Sequence, residues 1–267
     1  MKNQNIFITG ATGGIGAAVA RRFNQTKNRL FLHGFMNRQK MDSLLNALLT
    51  EEEIFSETER NNKKQETRIF HGFFDLSDVS QQNALCEMAW NSLPGGVDVL
   101  IQCAGIDILT PPAKFFTYEE KLEKMLAVDV VASMRIARNI ASRMMASKKK
   151  GVIINFGWDA VQRGIAGDSA ELFAVTKGGI MAFTKSLAQK IAPDIRVNCV
   201  APGWICTEWG ERAPENWNKY VMADSLLQRW GTAEEVADVV FFLTSEAGKY
   251  INAQIIEVNG GVNTKMK

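Results

Sequence analysis

Short apolar runs alternate with longer amphipathic ones along the chain. "NIFITG" (5–10), "RLFLHG" (29–34), "VDVLIQCAG" (97–105), "GVIINFG" (151–157), "IRVNCVAPG" (195–203) and "AQIIEVNGG" (253–261) are short and mostly apolar, and "TRIFHGFFDLSD" (67–78) contains a seventh run of the same kind. Runs of this length, rich in β-branched and aromatic residues and ending on glycine, predict strands buried on both faces. Between them, "GIGAAVARRFNQ" (14–25), "MDSLLNALLTEE" (41–52), "YEEKLEKMLAVDVVASMRIARNIASRMM" (118–145), 168–191 and "TAEEVADVVFFLTSE" (232–246) carry helical periodicity. Thr232, with Glu235 three residues on, reads as a capping box. This alternation predicts an α/β fold: one Rossmann-type, doubly wound parallel sheet of about seven strands with helices on both faces, spanning residues 1–267 as a single domain. The one break in pattern is "TEEEIFSETERNNKKQETR" (50–68), polar and charged, which reads as a helix end followed by an exposed, mobile insertion.

Composition narrows the function classes. The 267 residues are 46% hydrophobic, enough for a sizeable core. Basic and acidic residues number 31 and 29, and a net charge of +2 gives no electrostatic footprint for nucleic acid. "KKK" (148–150) reads as a solvated turn before a strand. The four cysteines form no CxxC pair and the chain has two histidines, so no metal site is visible. Cys103 and Cys199 fall in apolar strand patterns and read as small core residues. Reduced thiols, a strand following directly on "MKNQ", and no apolar run near the roughly 18 residues of a membrane helix predict a cytoplasmic protein without a signal peptide or membrane span.

Candidate chemistry begins with "TGATGGIG" (9–16), between the first strand and the first helix. Glycines there permit a tight turn and let the backbone approach a pyrophosphate, which the helix N-terminus then meets with free N–H groups. The bland alternative is a plain strand–helix turn. Thr9, Gly10, Gly14 and Gly16 fit TGxxxGxG, a pattern that resembles the short-chain dehydrogenase/reductase family. The resemblance runs along nearly the whole chain. "QCAG" (102–105) is similar to the family's NNAG, "RVNCVAPGWICTEW" (196–209) to its RVN…PG segment with a following threonine, and "RWGTAEEVADVVFFLTSE" (229–246) and "IEVNGG" (256–261) to its C-terminal motifs. The most similar subgroup is that of the 3-oxoacyl-(acyl-carrier-protein) reductases.

The resemblance implies where a dinucleotide would lie. Thr9, Gly10, Thr12, Gly14, Ile15 and Gly16 would cradle phosphates; Arg38, Asp75 and Leu76 would surround the adenosine; Cys103, Ala104, Gly105, Lys177, Pro202, Gly203, Ile205 and Thr207 would line the nicotinamide half. "LHGFMNRQK" (32–40) has no acid for a ribose 2′-hydroxyl and offers Arg38 to a 2′-phosphate, which favours NADP(H), with NAD(H) as the alternative. Gly13 stands where NADP-preferring members often carry a second basic residue. Arg38 also reads as a solvated residue at a helix start, and Asp75 as a helix N-cap.

At the catalytic positions the chain departs from the family. Lys177 is present, but Phe173 stands in the place of the tyrosine that protonates the carbonyl, Trp158 in that of the serine, and Asp129 in that of the asparagine that holds a relay water. Fourteen residues separate Trp158 from Phe173, two more than the family leaves, which implies an insertion near "GIAGDSAE" (164–171). Losing a positioned general acid costs roughly 10²- to 10⁴-fold in rate. An Asp129–Lys177 pair, direct or through water, is expected. Of the three tyrosines, Tyr118, Tyr220 and Tyr250, only Tyr220 falls in the substrate-lid region, residues 204–228, and Asp168 or Ser169 reads as an N-cap near the insertion. The resemblance implies that Trp158, Trp204, Trp209 and Trp217 fall in segments that line the substrate side, giving either an acyl-sized apolar pocket or one packed shut.

Three functions follow. The first is a diverged, non-reducing member that keeps a dinucleotide site, as a homo-oligomer (dimer or tetramer) or beside a catalytically intact relative. The second is an active NADPH-dependent reductase of a 3-oxoacyl group, carried on acyl-carrier protein or another thioester, or of another carbonyl, with an atypical proton donor. The third is an enzyme of another class using Asp129, Asp159 and Lys177. The departures also leave weakened or lost dinucleotide binding as an expectation.

Overall fold

The apolar runs form a seven-stranded, all-parallel sheet in a computed structural model that describes residues 4–56 and 67–264. The strands are β1 (Asn5–Thr9), β2 (Arg29–Gly34), β3 (Ile69–Phe73), β4 (Val99–Gln102), β5 (Gly151–Phe156), β6 (Ile195–Pro202) and β7 (Ile255–Val258), in the order β3-β2-β1-β4-β5-β6-β7. Ile6 sits opposite Leu30 on one side and Val99 on the other, so the three central strands share one register.

Side chains alternate across the sheet with a period of two, and each set builds its own core. Ile6, Ile8, Leu30, Leu32, Val99, Ile101 and Ile154 pack under α1 (Gly14–Asn24), α2 (Arg38–Ser56) and α9 (Ala233–Thr244). Phe7, Phe31, Leu100, Ile153 and Val197 pack under α3 (Val79–Ser92), α5 (Ser133–Ala146) and α6 (Asp168–Ile191). Phe7 and Phe31 meet edge to face at 5.6 Å. Fully burying such side chains stabilises by about 1.5–3 kcal/mol each. Because α1 and α2 lie on one face and α3 on the other, the chain reverses direction between β1 and β4. A crevice opens there at the carboxyl ends of the strands, where open α/β sheets bind ligands.

Several local expectations change. The pattern over 118–145 is not one regular helix: α4 (Tyr118–Met125) and α5 flank a π-helical stretch, Leu126–Ala132. Lys149 is not a solvated turn residue, since its ammonium reaches Asp98 Oδ1 at 2.5 Å and ties β5 to the start of β4. Helix α2 runs to Ser56, and the rest of the polar segment, 57–66, lies outside the described residues. The capping box at Thr232 and Glu235 is present on α9. Among the described residues no helix is long and apolar enough to cross a membrane.

Candidate functional site

The turn between β1 and α1 is held by close backbone approach. Gly10 has φ +66°, and a Cβ there would lie 2.6 Å from Ala104 Cα; a Cβ on Gly16 would collide with the Gly10 carbonyl oxygen. Both positions therefore require glycine. The Gly10 N–H donates to His33 Nδ1 at 3.2 Å, and the Ala11 N–H to the His33 carbonyl at 2.9 Å. His33 Nε2 lies 3.0 Å from the Phe74 carbonyl, so Nε2–H donates and the ring is neutral with Nδ1 as acceptor. Burial lowers the His33 pKa to about 4. Sequence reasoning missed this strut between the turn and the segment leading to Asp75.

Helix α1 begins without an anion of its own. Gly13 is at its N-cap, with no side-chain cap and no acid in the first turn. The first N–H groups, on Gly14, Ile15 and Gly16, have no intrahelical partners. A Cβ on Gly13 would meet only the Gly10 oxygen, at 3.4 Å, so the space above the turn is open. These features fit the phosphates of a dinucleotide. Thr207, after β6, flanks the turn: its Cγ2 lies 2.9 Å from where a Gly14 Cβ would be. Thr9 is engaged elsewhere, its hydroxyl accepting from the Ala104 N–H at 3.3 Å.

Around the adenosine side, the Arg38 guanidinium lies 4.6 Å from the centre of the Phe73 ring. Asp75 is not the cap of α3. That residue is Asp78, which accepts from the Ser80 N–H at 2.7 Å, while Asp75 closes a turn onto Ser77 at 2.8 Å. Leu76 is buried beneath this turn. Cys103 closes β4 against the core, and burial pushes its thiol pKa well above the ordinary range.

At the other end, Lys177 and Asp129 form a direct ion pair, Nζ to Oδ2 at 2.8 Å, with the carboxylate 1% exposed. Asp129 Oδ1 accepts from the Ile106 N–H at 2.9 Å, and Oδ2 has no partner within hydrogen-bond geometry. The π-helical stretch turns Asp129 inward, a local irregularity common at functional sites. Gly105 seats this pair: a Cβ there would stand 3.1 Å from Asp129 Oδ2 and 3.3 Å from Lys177 Nζ. Beneath it, Gln102 donates to Asn155 Oδ1 at 2.8 Å and Asn155 to Thr184 Oγ1 at 2.8 Å, joining β4, β5 and α6.

Phe173 and Trp158 face each other with ring centroids 6.1 Å apart. Phe173 packs on Ile108, Met125 and Leu172, so its surroundings are apolar. The segment before α6 holds Gly164 at φ +68° and Gly167 at φ +122°; Gly167, and neither Asp168 nor Ser169, is the N-cap.

The tryptophans after β6 pack against one another. Trp204 contacts Trp209, Trp217, Tyr220 and Trp230, at centroid distances of 6.5, 5.2, 5.8 and 6.3 Å. Sequence reasoning missed Trp230, whose signal was its place beside the glycine of "RWG". The knot includes short α7 (Glu208–Glu211) and α8 (Glu215–Asp224). It is anchored by Asp224, which accepts from Trp204 Nε1 at 2.9 Å and from both terminal nitrogens of Arg163 at 3.1 and 3.0 Å. Arg163 also reaches Asp159 at 3.4 Å, and burial raises the Asp159 pKa. Tyr250 is fully exposed, and Tyr118 on α4 donates to Glu171 at 3.3 Å.

A family model described as enoyl-(acyl carrier protein) reductase matches residues 10–263. The 3-oxoacyl-(acyl-carrier-protein) reductase FabG of Aquifex aeolicus is 31% identical over 259 residues, covering 96% of this chain and 95% of that one. A short-chain dehydrogenase/reductase from Brucella melitensis superposes with a TM-score of 0.81 at 27% identity, over 98% of this chain and 97% of that chain. This chain belongs to the short-chain dehydrogenase/reductase family. A blue fluorescent protein from a metagenomic library, solved in complex with NADPH, has the same fold, with a TM-score of 0.79, 27% identity and 96% of each chain covered. The glycine turn, the β1/β4 crevice and Lys177 therefore stand in a dehydrogenase/reductase framework.

Two measurements probe the struts of this site. His33 stays neutral, with its proton on Nε2, in the fold above about pH 4, but its imidazole takes up a second proton at about 6.5 when unfolded, so its contribution is complete above pH 6.5 and is lost as pH falls toward 4. Unfolding free energy should drop by about 3 kcal/mol from this group across that window. The same pH series on His33→Gln should show a shallower slope there. At the ion pair, Asp129→Leu leaves Lys177 and the Ile106 N–H without a partner and should cost about 3–5 kcal/mol. Asp129→Asn keeps the Ile106 bond and should cost less in the same denaturant titration.

Proposed function

We propose that this protein is a diverged short-chain dehydrogenase/reductase that holds a nicotinamide dinucleotide, NADP(H) in preference to NAD(H), with little or no standard ketoreductase activity. The observation that carries this reading is the Trp158–Phe173 pair, two rings 6.1 Å apart at the positions from which a serine and a tyrosine would address a substrate carbonyl. Neither ring supplies a hydroxyl. Trp158 has an indole N–H, but its ring takes up volume that a carbonyl needs. The dinucleotide, when bound, would supply a hydride. The chain's own part would be to hold phosphates at the α1 N-terminus, a 2′-phosphate at Arg38, and the nicotinamide ribose at Lys177.

Such a protein would serve as a binding or scaffold subunit, alone as a homo-oligomer or beside an intact relative. Val131, Val175 and Phe242, 45%, 58% and 44% exposed on helical surfaces, support assembly of that kind. An acyl-carrier protein or acyl thioester is the ligand class suggested by the FabG relative.

One observation favours the second reading, an active reductase of a 3-oxoacyl or other carbonyl group with an atypical donor. Asp159 follows Trp158, is buried, and has its pKa raised by that burial, as a proton donor requires. Against it, Asp159 Oδ2 is engaged by Arg163 at 3.4 Å and Asn259 at 3.2 Å.

The purified protein should bind NADPH without oxidising it in the presence of short 3-oxoacyl thioesters. Turnover within about a hundredfold of an intact relative would sink the proposal. The double variant Phe173→Tyr/Trp158→Ser should raise NADPH oxidation by at least about tenfold, towards the 10²–10⁴ that a positioned acid contributes.

A further inference from the structure

Lys40 and Glu208 form an ion pair between the start of α2 and the start of α7, elements separated by most of the chain. Their position relative to the glycine turn gives the pair its interest. On one side of the turn, Thr12 Cγ2 lies 3.3 Å from where a Gly34 Cβ would be, and that same position is 3.1 Å from Met41 of α2. On the other side, Thr207, which precedes α7, stands against Gly14. The two walls that flank the open N-terminus of α1 are thus the two elements that Lys40 and Glu208 join. The pair ties those two elements together beside the glycine turn.

The cations at the start of α2 are both engaged. Arg38 lies on the Phe73 ring, and Lys40 is clasped by Glu208, which also pairs with Arg212 at 3.2 Å. Asn37 Oδ1 accepts from the Lys40 N–H at 2.9 Å and fixes where the lysine stem begins. A carboxylate thus stands beside a site suited to phosphate, on a cation that an incoming phosphate would also attract. Lys40 holds the Glu208 carboxyl below its ordinary pKa range. Both side chains are about half exposed, 47% and 50%, and pairs so exposed are weak and sensitive to salt. The clasp is strong enough to set a resting arrangement and weak enough for a ligand to open.

We infer that Lys40 is a phosphate-binding residue of the dinucleotide site, and that Glu208 is an internal competitor that latches it until the ligand's phosphate takes its place. This inference rests on the dinucleotide reading above and adds a group that repels the ligand as well as one that attracts it. Opening the latch frees α7, so the tryptophan knot next to Glu208 reports it. Trp209 lies 5.7 Å from Trp217 and 6.0 Å from Trp230.

NADPH binding followed by tryptophan fluorescence in the full chain tests the latch. At low salt, Glu208→Gln should bind NADPH about three- to tenfold more tightly than wild type, and the gap should narrow as salt rises. Lys40→Met should bind more weakly than wild type. In the Lys40→Met background, Glu208→Gln should lose most of its benefit, since the two residues act as one unit. Equal affinities for wild type and Glu208→Gln at every salt concentration would overturn the latch and leave the dinucleotide reading intact. So would a full Glu208→Gln gain in the absence of Lys40. Failure of wild type and all variants to bind either NADPH or NADH would overturn both. Binding by Glu208→Gln alone would support the latch in its strongest form.

Discussion

The structure depends on how closely the turn after β1 lies against the end of β4. With Gly10 in a left-handed conformation and no room for a Cβ against Ala104, the chain can leave β1 only along the path that sets α1 over the sheet. The contact at Gly16 then brings the helix down onto its own turn. The form of the crevice follows from that placement. The first N–H groups of α1 point into the space where the sheet's connections diverge, and among the described residues no side-chain cap meets them. The neutral His33 ring holds the arrangement from the side, since its two nitrogens serve one donor and one acceptor at the same time.

The other end of the crevice is governed by a different constraint, a buried charge pair. Lys177 and Asp129 come from two helices that cross the same face of the sheet, and Gly105 brings the β4 loop down onto both. One carboxylate oxygen is tied to the Ile106 backbone and the other only to the ammonium. The carboxylate is thus held by the backbone on one side and by the ammonium on the other. The hydroxyl-free wall formed by Trp158 and Phe173 stands beside it. On the proposed reading, binding and proton transfer are physically separable in this crevice: the α1 N-terminus and Lys177 would serve the first, and two rings stand where the second would need hydroxyls.

The sheet and its helices were legible because buried parallel strands and covering helices impose two different periods on the sequence. The glycine turn was legible because its backbone geometry excludes other residues. Asp129 was legible only through family resemblance, since the π-helical stretch that turns it inward leaves the apolar pattern of 118–145 nearly unchanged. The caps misled for a related reason. Asp75, Asp168 and Ser169 all have the chemistry of an N-cap, but the actual positions, Asp78 and Gly167, were decided by where the preceding loop delivered the chain. Lys40–Glu208, Arg163–Asp224 and the Trp230 contacts link residues far apart in sequence or carried on separate loops. No local pattern announces them.

On the proposed reading, Phe173, Trp158 and Asp129 are better understood together than singly. A phenol in place of Phe173 would bring a polar atom to the neighbourhood of Lys177; the phenyl ring removes it and packs on Ile108, Met125 and Leu172 instead. Trp158 adds a second ring to the same wall. An ammonium left among such neighbours loses hydration without gaining partners, which is costly unless an opposite charge stands close. Asp129 supplies that charge where an asparagine would supply only a dipole, and the inward turn of its helix brings it to 2.8 Å. The carboxylate is thus the electrostatic counterpart of the two aromatic replacements. Among neighbours without hydroxyls, a lysine that is to remain at this depth requires it.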